Sequence, residues 1–340
     1  QIALAGDSVY VNTSSLRYRT SAQIKDNNIA GNLSYGQKLE RVGTSGQWTM
    51  ILLNGKKYYV SSAYVTSKKP ASAGAVQTTS QTAAGAQTSG GTAIALSSNY
   101  KYANYSKINS GTATLYRSTA SNKKNKVVCV NAGHGTNGGG SVKTQCHPDG
   151  SAKVTGGTTG AGATSAVAVS SGMTFADGTA ESKVTLAMAK VLKTKLLNAG
   201  YDVLMIRESD DVQLDNIART VIANNNADCH IALHWDSTSS NKGAFFMSVP
   251  SNATYRAMEP VASHWKQHNQ LGESLISGLK SAGVKIYSKG SMEMDLTQTS
   301  YSTVPSIDIE LGDKASDHSG ATLETLANGL LAGVNTFFGQ

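Results

Sequence analysis

Charged residues are scarce in this chain of 340 residues, at 15%, and Gly, Ser, Thr, Ala and Asn are abundant, as in many secreted bacterial surface proteins. Long apolar runs are absent, which excludes a transmembrane segment. No signal peptide precedes Gln1, as expected of a mature secreted chain that has lost one. Cysteine is limited to Cys129, Cys146 and Cys229, an odd number with no CxxC spacing, so a CxxC-type metal site is excluded. Cys129 and Cys229 lie in apolar, strand-like runs and read as small buried hydrophobes.

Acidic residues are missing altogether from residues 71–126, and this decides where the net charge of +8 sits. Residues 1–70 carry nine Lys or Arg against three Asp or Glu, residues 71–126 carry six against none, and residues 127–340 carry fifteen against nineteen. The basic N-terminal part and linker favour an anionic surface. No RNA- or DNA-binding motif accompanies that charge, so nucleic acid is not an expected partner, whereas anionic wall polymers are.

Three regions follow along the chain. Residues 1–68 alternate apolar and polar positions in short runs (VYVN, LRYR, QKLERV, WTMIL, KKYYV) with turns at Gly36, Gly43, Gly46 and Asn54-Gly55, which predicts a small all-β barrel. Residues 69–126 read as a flexible linker, because residues 71–98 are uncharged and almost entirely Ala, Ser, Thr, Gly and Gln. Tyr100, Tyr102, Tyr105 and LYRS hint at local order before the next domain. From residue 127 to 340, strand-like VVCVN, YDVLMIR, CHIALHW, AFFMSV and VPSIDIEL alternate with helical runs at 181–200, 212–226, 261–282 and 320–338. That alternation predicts an α/β domain, a mostly parallel sheet flanked by helices, with ligands beyond the carboxyl ends of its strands.

His134 falls at such an end, in VVCVNAGHGTNGGG; His234 ends the strand IALHW, Glu310 ends DIEL, and Glu181 opens the first helix. Each has a dull explanation alone: a strand-end imidazole that is merely hydrogen-bonded, or a first-turn Glu favouring the helix dipole. Two imidazoles and a carboxylate are also a common catalytic zinc set. In their order, VVCVNAGHG, the helix-opening Glu, IART, ANNNADCHIALHWDS and PSIDIELGDKASD resemble the zinc-dependent N-acetylmuramoyl-L-alanine amidases typified by the AmiC and CwlV enzymes. The resemblance implies that His134, Glu181 and His234 bind Zn2+ and that Glu310 is the catalytic acid/base. It also implies a peptidoglycan substrate, cut between N-acetylmuramic acid and L-alanine, and a secreted, wall-associated enzyme. Arg219 matches a family arginine, expected to be structural or substrate-orienting. SSLRYR, GNLSYGQKLERV and GQWTMILLNGKKYYVSSAYV resemble a bacterial SH3-like domain, which implies attachment to the wall.

The chain departs from the family pattern at Asn131, at His234-Trp235-Asp236 and at Gly312-Asp313, where Asp, HxN and Gly-Phe are usual. It also carries a long glycine-rich insertion at about 137–180, expected as a mobile flap, in which Cys146 and His147 read as an exposed incidental pair. His230 lies at the far start of the His234 strand, and His264 and His268 lack the Glu of a zincin helix, since Trp265 stands there. Asp308, on the same strand face as Glu310, either tunes it or is a solvated carboxylate. Two other functions stay open at this point: a non-catalytic wall-binding surface protein, and a zinc peptidase or deacetylase acting on another wall bond.

Overall fold

The structure is a computed structural model that describes residues 7–11, 15–23, 26–34, 36–67 and 90–340. The chain divides into two compact units, Gln1–Ala83 and Ala84–Gln340. Unit 1 is one antiparallel sheet of β1 (Asp7–Val11), β2 (Ser15–Arg19), β3 (Ile29–Ser34), β4 (Lys38–Ser45), β5 (Trp48–Leu53), β6 (Lys56–Ser61) and β7 (Val65–Thr66), in the order β3-β2-β6-β5-β4-β1-β7. Its core is aliphatic: Val9, Val11, Leu16, Leu33, Leu39, Ile51 and Val60, with Tyr18 and Tyr58 packed against them. Asn54 and Gly55 both take positive φ, 50° and 74°, as a two-residue hairpin turn between β5 and β6 requires.

In unit 2 the elements are β8 (Thr92–Ala95), β9 (Thr112–Tyr116), β10 (Val127–Ala132), β11 (Lys143–Gln145), β12 (Ser165–Val167), α1 (Glu181–Ala199), β13 (Asp202–Met205), α2 (Asn216–Asn226) and β14 (Cys229–Asp236). β15 (Ala244–Ser248), α3 (Ala253–Ala257), α4 (Val261–Ser281), β16 (Ile286–Glu293), α5 (Thr297–Tyr301), β17 (Ser306–Asp313) and α6 (Gly320–Phe338) complete it. The main sheet runs β16-β15-β17-β14-β10-β13-β9-β8. Its centre, β13-β10-β14-β17, is parallel, while β9 and β8 on one flank and the β15–β17 pair on the other are antiparallel. The sheet is therefore mixed where a mostly parallel one was expected, and the parallel centre is what sets the site.

Side-chain alternation sorts the central strands between two cores. Val128 and Val130 of β10, Ile231 and Leu233 of β14, and Ile307 and Ile309 of β17 face one core with Met188 and Leu192 of α1, Leu275 of α4 and Leu330 of α6. Cys129 faces the other core, with Ala218 and Ile222 of α2. The alternate positions of β14 and β17, which include His234, Asp308 and Glu310, thus lie on the sheet face opposite α1. Gly200, with φ at 100°, caps α1 and turns the chain into β13.

Two expectations need correction. Residues 69–126 are not linker throughout: β8 and β9 extend the sheet, while the stretch 68–89 lies outside the described residues. The backbone N–H groups of Lys107 and Ile108 donate to Asp215 Oδ2 at 2.6 and 2.9 Å, and Tyr102 and Tyr105 pack on Tyr301. A buried carboxylate and stacked rings anchor this segment, contacts that composition does not reveal.

The insertion at 137–180 is likewise folded, not a free flap. β11 and β12 pair, and the backbone bonds Ala168 N to Val142 O (2.8 Å) and Asn216 N to Ala168 O (3.1 Å) tie the segment to itself and to α2. Cys146 and His147 are 2% and 1% exposed, so the pair is buried. His147 Nε2 donates to Asp295 Oδ2 at 2.9 Å, and Asp295 also accepts from the N–H groups of Val154 and Thr155 and from Lys153 Nζ. One aspartate in the β16–α5 connection thus holds the insertion by charge-assisted bonds.

Candidate metal centre

The site begins with a backbone that no ordinary residue sequence would choose. β10 stops at Ala132, Gly133 follows, and His134 takes φ 63°, the left-handed region. A Cβ on Gly133 would stand 2.2 Å from His234 Cε1, so glycine alone lets the corner pass this close to the second imidazole.

Two buried arginines hold the corner's carbonyls. Arg219, on α2, donates from Nη1 to Asn131 Oδ1 (3.1 Å) and Ala132 O (3.2 Å), from Nη2 to His134 O (2.7 Å) and Thr136 Oγ1 (2.8 Å), and from Nε to Leu214 O (3.0 Å). Arg207 donates to Ala132 O at 3.0 Å, to Gly133 O at 2.8 Å and to Ser182 O at 2.6 Å. Burial, with Arg207's charge second, pulls the Arg219 pKa down to about 9, and burial pulls Arg207 to about 10. Arg219, expected to be structural or substrate-orienting, here holds the corner and also lines the cleft. Arg207 was missed, because nothing around YDVLMIR marks a residue just past a strand's end as a clamp.

Three donor atoms meet at the corner. His134 Nε2 lies 2.9 Å from Glu181 Oε1 and 3.0 Å from His234 Nδ1, and His234 Nδ1 lies 3.1 Å from Glu181 Oε1. These are the three residues expected from the sequence, and they form the one metal-type cluster of His, Cys, Asp and Glu among the described residues. A tetrahedral zinc ion with ligands at 2.0–2.2 Å keeps them roughly 3.3 Å apart, so the triangle has nearly the size such an ion needs.

Two of the three candidate ligands are themselves braced. His134 Nδ1–H donates to Ser170 O at 2.8 Å, and Glu181 accepts at Oε2 from Met173 N (2.9 Å) and at Oε1 from Trp235 N (3.0 Å). Gly172 lies between: a Cβ there would approach Glu181 Oε2 and His134 Cδ2 to 2.8 Å. Ser170 and Met173 act through their backbones, which carry no signature in sequence. Burial opposes the charge on Glu181, but the His134 and His234 rings outweigh it and hold its pKa below the usual carboxyl range. Burial also opposes a charge on His234, yet the facing carboxylates of Asp308, Glu181 and Glu310 raise its pKa to about 10.

Glu310 pairs in register with His234 across β14 and β17. It is 9% exposed and lines a cleft of about 550 Å³ together with the three donors. Its Oε2 has no hydrogen-bond partner among the described residues. Burial, reinforced by the Asp308 charge, pushes its pKa well above the ordinary carboxyl range. A carboxyl group raised this way and open to a cleft is suited to accept and return a proton. The cleft's far wall comes from the insertion (Val167, Val169, Ser171) and from Met294–Gln298.

The departures from the family pattern have local partners. Asn131 Nδ2 donates to His230 Nε2 at 3.1 Å while its Oδ1 accepts from Arg219. Asp236 is ion-paired with Lys242, and Asp313 accepts from Thr238 Oγ1 and from the N–H of Ala315. His230 is buried, which lowers its pKa to about 3. His264 Nδ1 donates to Pro260 O and His268 Nδ1 accepts from Ser306 N, so neither joins the triangle.

The Amidase_3 family, N-acetylmuramoyl-L-alanine amidase, matches residues 128–329. Among solved structures, the N-acetylmuramyl-L-alanine amidase Ami1 from Mycobacterium smegmatis is 19% identical, with 64% of this chain and 99% of that one covered and a TM-score of 0.48. Ami1 from Mycobacterium abscessus is 20% identical (63% and 98% covered, TM-score 0.46). The N-acetylmuramoyl-L-alanine amidase of Clostridium difficile 630 is 16% identical (63% and 97% covered, TM-score 0.44). No curated protein matches.

Proposed function

The chain belongs to the N-acetylmuramoyl-L-alanine amidase family and is a hydrolase of peptidoglycan amide bonds, and from that premise we propose that it works with zinc held by His134, Glu181 and His234 and with Glu310 as proton shuttle. The observation that carries this reading is the triangle of donor atoms 2.9–3.1 Å apart, with His134 and Glu181 braced from behind by backbone groups. Zinc bound by these three residues would supply Lewis acidity, to polarise an amide carbonyl and lower the pKa of water to about 7. Glu310 takes the proton of the attacking water and returns it to the departing alanine nitrogen, which makes the amine a competent leaving group. Arg207 and Arg219 keep the His134 corner rigid through the carbonyls of Ala132, Gly133 and His134.

The bond assigned is the amide between the lactyl carbonyl of N-acetylmuramic acid and L-alanine. Mass spectrometry of muropeptide products, with and without a chelator, tests both halves of the proposal. Release of intact stem peptides that stops on chelation is the expected result. Cleavage inside the stem peptide would favour a zinc peptidase, and loss of acetyl groups a deacetylase. For unit 1 we assign an SH3-like wall-binding role, supported by its all-antiparallel sheet and the net charge of +6 that residues 1–70 carry. The enzyme is then wall-associated. No helix of the described residues is long and apolar enough to cross a membrane.

A further inference from the structure

The two imidazoles of the centre present different nitrogens: His134 points Nε2 at Glu181, and His234 points Nδ1. A neutral imidazole has one N–H, and the nitrogen that offers its lone pair to a metal must be the other one. For His134 the choice is fixed, because Nδ1–H donates to the Ser170 carbonyl. For His234 the proton must sit on Nε2, and what faces Nε2 is Asp308 Oδ2 at 3.5 Å.

We propose that Asp308 is a positioning residue: its carboxylate holds the Nε2–H tautomer and the ring orientation of His234, so that Nδ1 faces the metal centre. The proposal rests on the zinc reading above. Its support is geometric. Asp308 pairs in register with Ala232, two residues before His234 on the same sheet face, and the small alanine side chain leaves the aspartate free to reach the imidazole. The other oxygen, Oδ1, is buried and has no hydrogen-bond partner among the described residues, so no competing structural bond accounts for the side chain. A carboxylate behind a ligating imidazole also raises its basicity, and loss of such a partner typically weakens metal affinity by about 10–100-fold. β17 therefore carries two carboxylates with separate tasks. Glu310 moves the proton between the water and the leaving nitrogen, and Asp308, whose charge also raises the Glu310 pKa, positions His234.

The test is the zinc Kd of the full chain, measured by competition with a chromophoric chelator, for the parent, Asp308→Ala and Asp308→Asn, together with the melting temperature of each metal-free protein. Asn keeps an oxygen that accepts from Nε2–H; Ala does not. Asp308→Ala is expected to weaken zinc binding about 10–100-fold without lowering the metal-free melting temperature, and Asp308→Asn to recover most of the loss. Parent-like zinc affinity in Asp308→Ala would overturn the inference, as would an Asn variant as weak as Ala, because charge and not orientation would then be acting. A fall in metal-free melting temperature that tracks the loss of affinity would also overturn it in favour of a purely structural role. If the parent itself bound no zinc, the metal-centre reading would fall first and this inference with it.

Discussion

On one side of the cleft, His234, Asp308 and Glu310 stand on paired, parallel strands; on the other, Ser170, Gly172 and Met173 belong to an insertion whose own strands are three residues long. The strand side owes its geometry to ladder register, which places His234 opposite Glu310 with no help from the surroundings. The insertion side owes its geometry to particular long-range bonds, above all those that converge on Asp295. Yet the insertion braces two of the three donor residues, through Ser170 O and Met173 N. Regular structure can supply chemistry directly, whereas irregular structure here supplies the hold on it.

The largest effects should come from the donors, which belong to both sides. His134→Ala, Glu181→Ala and His234→Ala should each lose nearly all zinc and turnover, since a three-residue site cannot spare one. Metal analysis of the purified variants checks this, and full occupancy in any of them would reassign that position.

The next effect separates fold from chemistry on the insertion side. Asp295→Ala leaves Lys153 buried without its partner and frees His147, and should lower the stability of unit 2 by about 3–5 kcal/mol while zinc content holds near the parent level. Denaturant unfolding and metal analysis on one preparation read both. Loss of zinc here would mean that residues 147–155 and 170–173 act as one piece.

A smaller effect is expected at Gly172, with φ at 81°. Gly172→Ala places a methyl group against Glu181 and His134 in a left-handed backbone, and should cost about 1–2 kcal/mol and weaken zinc binding measured by chelator competition. Smallest is removal of unit 1, which should leave activity on soluble muropeptides intact and reduce activity on intact sacculi several-fold at low salt, where charge attraction is least screened. Equal rates on sacculi with and without unit 1 would refute wall targeting.

The same division decides what could be read from the sequence. The four long helices, the strand that leads to His134 and the strands that carry His234 and Glu310 follow from hydrophobic periodicity and from terminators such as Gly200. β8, β9 and β16 were not expected as strands: β8 and β16 are the edges of the sheet, with few buried positions, and β9 showed only as local order at LYRS. The flanks of the sheet were misjudged for that reason. The insertion was misread as mobile because glycine content and few charges describe a composition, and Asp295, more than a hundred residues away, carries the restraint. At the site, the donors and Glu310 were visible as chemistry-bearing residue types at strand and helix ends. Ser170 and Met173 were not, since a backbone carbonyl or amide looks alike in every residue.

The measurement closest to the centre of this account is zinc content and turnover of Glu310→Gln on the same preparation. Gln keeps the size and hydrogen bonding of Glu310 but cannot take a proton. The variant, like the parent, should hold about one zinc per chain, because metal affinity is expected to depend on the three donors. Its kcat on muropeptides should fall at least roughly a hundredfold, the lower end of what a proton shuttle contributes. Turnover at the parent rate would remove Glu310 from the chemistry, and loss of zinc would make it a ligand; either result would contradict the division of labour between three residues that hold the metal and one that moves the proton.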